Sequence, residues 1–448
     1  MATDDAARYD ALVIGTGQGG PPLAASLAGA GYRTAIVERD QVGGSCVNTG
    51  CTPTKTLIAS GRVAYQARRA PLYGIGTEPV RVHMHQVRQR KRDMVEQFRS
   101  GARHGLERAE NLDLIMGEAR FSAPDTVDVD LHAGGRRTLR APLIVVDTGT
   151  RPAVPGVPGL DAVPFLDSTS IQELEAVPEH LLVLGGGYVG LEFAQLFRRL
   201  GSAVTIIQRD EQLAPRESPD VAGELTRLLR EDGIEVLLHT DATGVEPTAP
   251  GVALGVDGPG GARRLTGSHL LVAVGRSPNT EALDLPAAGV ETDARGFIRV
   301  NDQLVTSVPG IRALGDVTGA PQFTHVAYDH FRILRTNLLE DGAASTRHRP
   351  VPYTIFTDPQ LGRTGLTERQ ARAEGRRIRV ARLPMSAVAR ALETDHTRGF
   401  MKAVVDADSD RILGCAILGE QGGEVMSMIQ IAMMGDLPYT ALRDGVFA

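Results

Sequence analysis

ALVIGTGQGG, residues 11–20, decides how the first third of the chain is read. Ala11–Ile14 is a short apolar run of the kind that forms a buried strand. Gly15, Gly17 and Gly20 follow in G-x-G-x-x-G spacing, and an apolar stretch to about Ala30 reads as a helix. A second strand, Thr34–Val37, ends at Glu38, 23 residues after the first glycine. A glycine pattern alone is weak evidence. Set between a strand and a helix, with an acid closing the next strand, it is the dinucleotide-binding arrangement. The glycines admit a pyrophosphate close to the backbone, and the helix N-terminus favours its charge. Glu38 can accept from ribose hydroxyls.

The same unit returns in the middle of the chain. Leu181–Leu184 leads into GGGYVG, with Gly185, Gly187 and Gly190, a helix from Leu191 to Leu200, and a strand from Ala203 to Ile207. Two such units imply two dinucleotides. In the second, the position 23 residues after the first glycine is Gln208, followed by Arg209. A carboxylate there would repel a 2′-phosphate, whereas an amide and a guanidinium tolerate or attract it. This favours NADPH and leaves NADH open. Arg216 reads equally as a helper or as a solvated charge.

Around these units the chain alternates. Gln86–Glu110 is dense in charge at helical spacing and reads as a long, largely solvated helix. Leu143–Val146 runs into the proline-rich DTGTRPAVPGVPG (147–159), a boundary between domains. Leu270–Val274 reads as a strand ending in GRSPNT, and GIRALGDVTG places Asp316 at the end of another. From about Arg349, strand-like VPYTIF, KAVVD and ILGCAILG alternate with helical Thr367–Glu374 and Gly423–Met434, an α+β domain. The expected fold is α/β: two Rossmann-like domains and a C-terminal α+β domain. The segments are 1–150, 151–276, 277–348 returning to the first domain, and 349–448.

Composition narrows the function. Of 448 residues, 51 are glycine, about 11% against an average near 7%, which fits many tight turns or close ligand approaches. The net charge of -6 carries no signal for nucleic acid. No apolar run reaches the ~18 residues of a membrane span, and the N-terminal MATDDAARYD has no signal-peptide character, so a cytoplasmic protein is expected. Three cysteines are too few for a stabilising framework. Yet Cys46 and Cys51 sit five residues apart in GGSCVNTGCTPTK (43–55), and a cytosolic disulfide is more often catalytic than structural. Cys415, in an apolar run, reads as a small core residue. No cluster of His and Cys has metal-ligand spacing.

Taken in order, these motifs resemble those of the class I pyridine-nucleotide disulfide oxidoreductases, the family of dihydrolipoamide dehydrogenase, glutathione reductase and mercuric reductase. GTGQGG with Glu38 resembles the FAD site, GGSCVNTGCTPTK the redox-active disulfide, TGTRP (148–152) the flavin-domain crossover, and GGGYVGLE (185–192) the nicotinamide site. VGRSPN (274–279), LGDVTG (314–319) and VPYTIFTDPQLGRTGLTE (351–368) continue the series, the last opening the dimerisation domain. FTHVAYDHFRIL (323–334) and LPYTALRD (437–444) lean toward the mercuric-reductase-like branch, which includes a copper-reducing flavoprotein linked to hypochlorite resistance.

The resemblance implies a homodimer with FAD and NADPH. It implies that Gly44, Ser45, Thr148, Gly149, Asp316, Gly275 and Arg276 contact the cofactors. Electrons would pass from NADPH through flavin to a Cys46–Cys51 disulfide, with Cys51 on the flavin side and Cys46 meeting the substrate. Lys55 would pair with Glu192, and a cation near thiolates lowers their pKa. Tyr188 matches the aromatic that gates the nicotinamide pocket. In an ideal helix, Cα atoms at i and i+5 lie about 8–9 Å apart, whereas a disulfide needs about 4.4–6.8 Å. The cysteine segment must therefore bend, and Gly43, Gly44 and Gly50 permit it.

Two family features fall outside the pattern. The His-Pro-x-x-x-Glu motif that supplies a proton donor would begin just past DGVFA, and no histidine lies beyond His396. A tail missing from the sequence, chemistry that needs no such acid, and a degenerate homologue all remain open. His325 and His330 have no spacing that makes either a replacement. The terminal cysteine pair of mercuric reductases does not occur in the sequence. Three functions stand: a disulfide reductase, a soft-metal-ion reductase using the same cysteines, and a non-catalytic scaffold, against which the intact redox motif argues.

Overall fold

A computed structural model describes residues 6–447. Part of the acidic N-terminal stretch and Ala448 lie outside the described residues. The chain forms two compact units. Of the described residues, one comprises those up to Thr54, Gln89–Ala153 and Arg276–Arg349; the other comprises Lys55–Arg88, Val154–Gly275 and those from Pro350 onward.

The first unit is built on a sheet of eight strands. Its parallel part runs Leu112–Ala123, Thr34–Glu38, Ala11–Ile14, Leu143–Val146, Ile311–Ala313. Ala11–Ile14 is buried along its whole length, as a strand covered on both faces must be. Chain connections leave it in opposite directions, so a crevice opens at its C-terminal end, where ligands bind in such sheets. The helix Gly20–Gly29 covers one face through Leu23, Ala24 and Leu27. An antiparallel meander (Leu112–Ala123, Thr126–Leu131, Arg136–Arg140) extends the sheet.

The second unit repeats the device in a four-stranded parallel sheet ordered Glu235–Leu237, Ala203–Ile207, His180–Leu184, His269–Val272. The helix Tyr188–Leu200 packs on it, burying Leu191, Phe193, Leu196 and Phe197. The same unit contains a five-stranded antiparallel sheet from Tyr353–Ile355 to Ile412–Gly419, with the helix Gly422–Met434 against it.

The charged stretch expected at 86–110 is the helix Met84–Glu107. The strand expected to reach Val274 stops at Val272. The units divide the chain differently from the segments read in the sequence. Lys55–Arg88 belongs to the second unit because Leu57 and Met84 join a core with Leu200, Ile355 and Phe400.

Candidate active site

The first glycine loop is shaped by what lies beneath it. Gly15 has φ +102°, and a Cβ there would sit 2.3 Å from the Asp147 carbonyl oxygen. A Cβ on Gly17 would meet the Asp147 carboxylate at 2.7 Å, and one on Gly20 would meet the Gly15 carbonyl at 2.7 Å. Glu38 is buried and engaged by its own loop. Its Oε2 accepts from the Thr16 amide (3.0 Å) and hydroxyl (2.5 Å), and its Oε1 accepts from the Asp40 amide (2.8 Å).

Asp147 was given no role from the sequence, yet it is central. It directly follows the strand Leu143–Val146, is buried, and accepts from the Gly20 amide at 2.7 Å. Burial pushes its carboxyl well above the usual range, helped by the charges of Asp316 and Glu38. No local pattern marks this, because burial under the loop follows only from strand order.

The remaining flavin-side residues gather in the same unit. Thr150 donates to Asp316 Oδ2 at 3.0 Å, and Arg276 donates to the Thr150 hydroxyl and carbonyl at 2.7 Å each. Burial raises the Asp316 pKa against the pull of Arg276. Ser45 Oγ lies 3.5 Å from the Thr150 carbonyl, and Gly44, at φ +61°, approaches Gly17 too closely for any side chain. Asn279 donates to the Thr148 carbonyl, and Gly149 has φ +64°. The Thr148 hydroxyl is buried without a hydrogen-bond partner, a polar atom aimed at nothing in the protein. A glycine cradle with that orphaned hydroxyl fits a flavin dinucleotide.

The cysteine segment bends as its glycines permit. A short helix, Gly44–Asn48, follows Gly43 at φ +108°. Thr49 breaks it at φ -139°, and a new helix, Cys51–Arg69, starts after Gly50. Cys46 is half-buried and Cys51 exposed. Each Sγ lies 3.1 Å from Thr324 Oγ1. Thr324 is the first residue of the helix Thr324–Leu339. Sequence reasoning missed it, although FTHV ahead of a helical run placed a hydroxyl at a helix start.

In the second unit, Gly185 has φ +111°, and its Cβ would lie 2.4 Å from the Ala273 carbonyl. Gly190 has no room for a side chain beside the Gly185 carbonyl, whereas Gly187 faces open space. Gln208 behaves as Glu38 does: it is buried, accepts from the Gly186 amide at 2.8 Å, and donates to Asp210 at 2.8 Å. It therefore faces the loop, and the exposed group beside it is Arg209, whose side chain is 79% accessible. Arg216 is also exposed. Gly275, at φ +135°, closes this unit.

Lys55 Nζ donates to Glu192 Oε2 at 2.7 Å, and Glu192 Oε1 accepts from the Phe356 amide at 2.9 Å. The Glu192 side chain is only 7% exposed, so loss of Lys55 would leave a buried carboxylate without its cation. Tyr188, the first residue of its helix, donates to Glu217 Oε1 at 2.9 Å.

Two other residues serve the fold. Cys415 is buried, which pushes its thiol up to about 12. His330 is buried, and its Nδ1 accepts from the Gly315 amide at 3.0 Å, so the ring proton sits on Nε2. Burial lowers its pKa from 6.5 to about 4. A His lowered on folding stabilises above its unfolded pKa and loses that stability as pH falls through the folded one. Wild type is expected to lose about 3 kcal/mol of stability through this group between pH 6.5 and pH 4. His330→Gln should flatten that part of the profile in denaturant titrations. An unchanged slope would show that another group carries it.

Two glycine-loop dinucleotide folds and a paired dithiol on one chain define a flavin- and nicotinamide-dependent dithiol oxidoreductase. The comparisons with known proteins agree. The family model for pyridine nucleotide-disulphide oxidoreductases matches residues 9–330, and that of the family's dimerisation domain matches 351–448. The chain belongs to this family, and it is an FAD-dependent NAD(P)H oxidoreductase. The probable pyridine nucleotide-disulfide oxidoreductase RclA of Escherichia coli is 36% identical over 444 residues, covering 98% of this chain and 96% of that protein. The mercuric reductase of Bacillus cereus is 35% identical over 448 residues, covering 98% and 70%. Among solved structures, the HOCl-induced flavoprotein disulfide reductase RclA from Escherichia coli has a TM-score of 0.89 at 36% identity, covering 98% of this chain and 96% of that one. Its Cu(II) complex has a TM-score of 0.90.

Proposed function

We propose that the protein uses NADPH to reduce a small disulfide through Cys46 and Cys51. The observation that carries this reading is the pair of thiols sharing one hydroxyl at the start of a helix. FAD, when bound, supplies the two-electron carrier that accepts hydride from the nicotinamide. The chemistry of the chain's own residues follows from thiol–disulfide exchange. The Cys46 thiolate attacks one sulfur of the substrate disulfide, forming a mixed disulfide and expelling one substrate thiolate. The Cys51 thiolate then attacks Cys46 Sγ, forming the Cys46–Cys51 bond and releasing the second thiolate. NADPH and one proton are consumed for two product thiols.

Lys55, paired with Glu192, is one helical turn beyond Cys51 and supplies the positive charge that favours thiolates. Arg209 supports NADPH over NADH, because it offers an exposed guanidinium for a 2′-phosphate while Gln208 is occupied by its loop. The glycine loops and the residues gathered with them, Gly15, Gly17, Gly20 and Glu38 on one unit and Gly185, Gly187 and Gly190 on the other, hold FAD and the nicotinamide coenzyme respectively. Residues 349–448 form the homodimer contact, supported by the dimerisation-domain match. Among the described residues no helix is long and apolar enough to cross a membrane. We place the protein in the cytoplasm, where a disulfide is more often catalytic than structural.

A second reading is a soft-metal-ion reductase. It is favoured by the likeness to mercuric reductases and to the RclA Cu(II) complex, and two adjacent thiols suit a soft cation. Among the described residues no group of three or more His, Cys, Asp or Glu side chains is placed to hold a metal. The deciding experiment is anaerobic NADPH consumption by the FAD-loaded enzyme with a small disulfide, with Cu(II) or with Hg(II), repeated with NADH. Turnover with a disulfide, faster with NADPH, is expected. Turnover with metal ions alone would replace the first reading by the second.

A further inference from the structure

The second unit buries one more carboxylate. Glu217 lies between the strand Ala203–Ile207 and the helix Pro219–Glu231, and its side chain has no exposure. Its main chain is pinned, the amide to the Ala214 carbonyl and the carbonyl by the Gln212 side chain. Two phenols donate to a single oxygen, Oε1: Tyr188 at 2.9 Å and Tyr353 at 2.5 Å. The two rings stack, with centroids 5.5 Å apart and planes 28° apart. The other oxygen, Oε2, makes no hydrogen bond and lies 3.7 Å from Arg363 Nε. Arg363 is itself buried and donates to the carbonyls of Thr364 and Gly365.

A charge sealed from water is expensive to keep unless it is paired and hydrogen-bonded. Here its hydrogen bonds fall on the one aromatic side chain that opens the second glycine-loop helix. Burial, then the Glu217 charge, raises both tyrosine pKa values, so both stay neutral donors at physiological pH. Tyr188 is therefore tied at its hydroxyl to a fixed acceptor and at its ring face to a second tyrosine.

We propose that Glu217 and Tyr353 form a latch that holds Tyr188 closed over the second glycine loop, and that the closed latch opposes coenzyme binding. The proposal rests on the reading of Tyr188 as the residue that covers the nicotinamide pocket. Glu217 and Tyr353 act as positioning residues, through Tyr188. A protein whose binding-competent form is a minor fraction binds with its affinity reduced by that fraction. Weakening the latch raises the fraction.

The test uses FAD-loaded enzyme and NADP+, followed by titration calorimetry, with Tm measured in parallel. Glu217→Gln keeps the shape but weakens the acceptor; Tyr188→Phe keeps the ring and removes the tether. Both are expected to bind NADP+ more tightly, Tyr188→Phe by about 10-fold or more, as loss of one hydrogen bond to a charged group allows. In Glu217→Gln the KM for NADPH should fall while kcat changes little. Tyr188→Ala removes the cover and should bind at least as tightly. Tightening in Tyr188→Ala with none in Tyr188→Phe overturns the latch, even if Glu217→Gln fails to fold. No tightening in Tyr188→Ala removes the reading of Tyr188 and the latch with it. A merely structural role would lower Tm in Glu217→Gln and leave NADP+ affinity unchanged in Tyr188→Phe.

Discussion

Cys46→Ser is expected to abolish acceptor-coupled turnover while leaving flavin reduction by NADPH intact. In an anaerobic titration of FAD-loaded enzyme, wild type should take up two electrons into the cysteine pair beyond those held by the flavin. The variant should take up only the flavin's two. Disulfide-dependent NADPH oxidation should fall by a factor on the order of 10³ or more, because loss of the nucleophile removes the covalent route altogether. The structure makes this a specific expectation. Cys415 cannot substitute, since it is buried with its thiol pushed up to about 12. No other cysteine exists in the chain. Identical uptake in both proteins would mean that Cys46 and Cys51 do not relay electrons.

Thr324→Val should slow reaction of the reduced pair with iodoacetamide at pH 7 by about 10–100-fold, the worth of one hydrogen bond to a charged group. A hydroxyl carries one proton. At 3.1 Å from both sulfurs it can donate to only one at a time, and it favours whichever is the thiolate. It also opens a helix of 16 residues, whose N-terminal dipole acts in the same direction. Valine matches the shape of threonine and removes only the donor. Thr324→Ser should restore most of the rate. A simple packing defect would instead lower Tm and resist rescue by serine. Equal alkylation rates in wild type and Thr324→Val would remove Thr324 from the thiol chemistry.

Much of the protein was legible before folding was considered. The two glycine loops are local devices. A strand, a turn that needs φ near +100° at Gly15 and Gly185, and a helix are all encoded within ten residues. The break between Cys46 and Cys51 was readable because i and i+5 cannot pair in a regular helix, and Thr49 and Gly50 interrupt it. The apolar runs of the parallel strands carry their own burial.

What only tertiary structure decided are the contacts between distant segments. Thr324 reaches Cys46 across 278 positions, and Tyr353 reaches Glu217 across 136. Asp147 lies beneath a loop 127 residues away because two strands are neighbours in a sheet. The Gln208 amide is turned toward Gly186, which leaves Arg209 as the exposed polar group beside it. Local spacing determines backbone conformation and which face of an element is apolar. Which polar group ends up buried against which other depends on strand order and on the packing of separate segments, and no local window of sequence contains that.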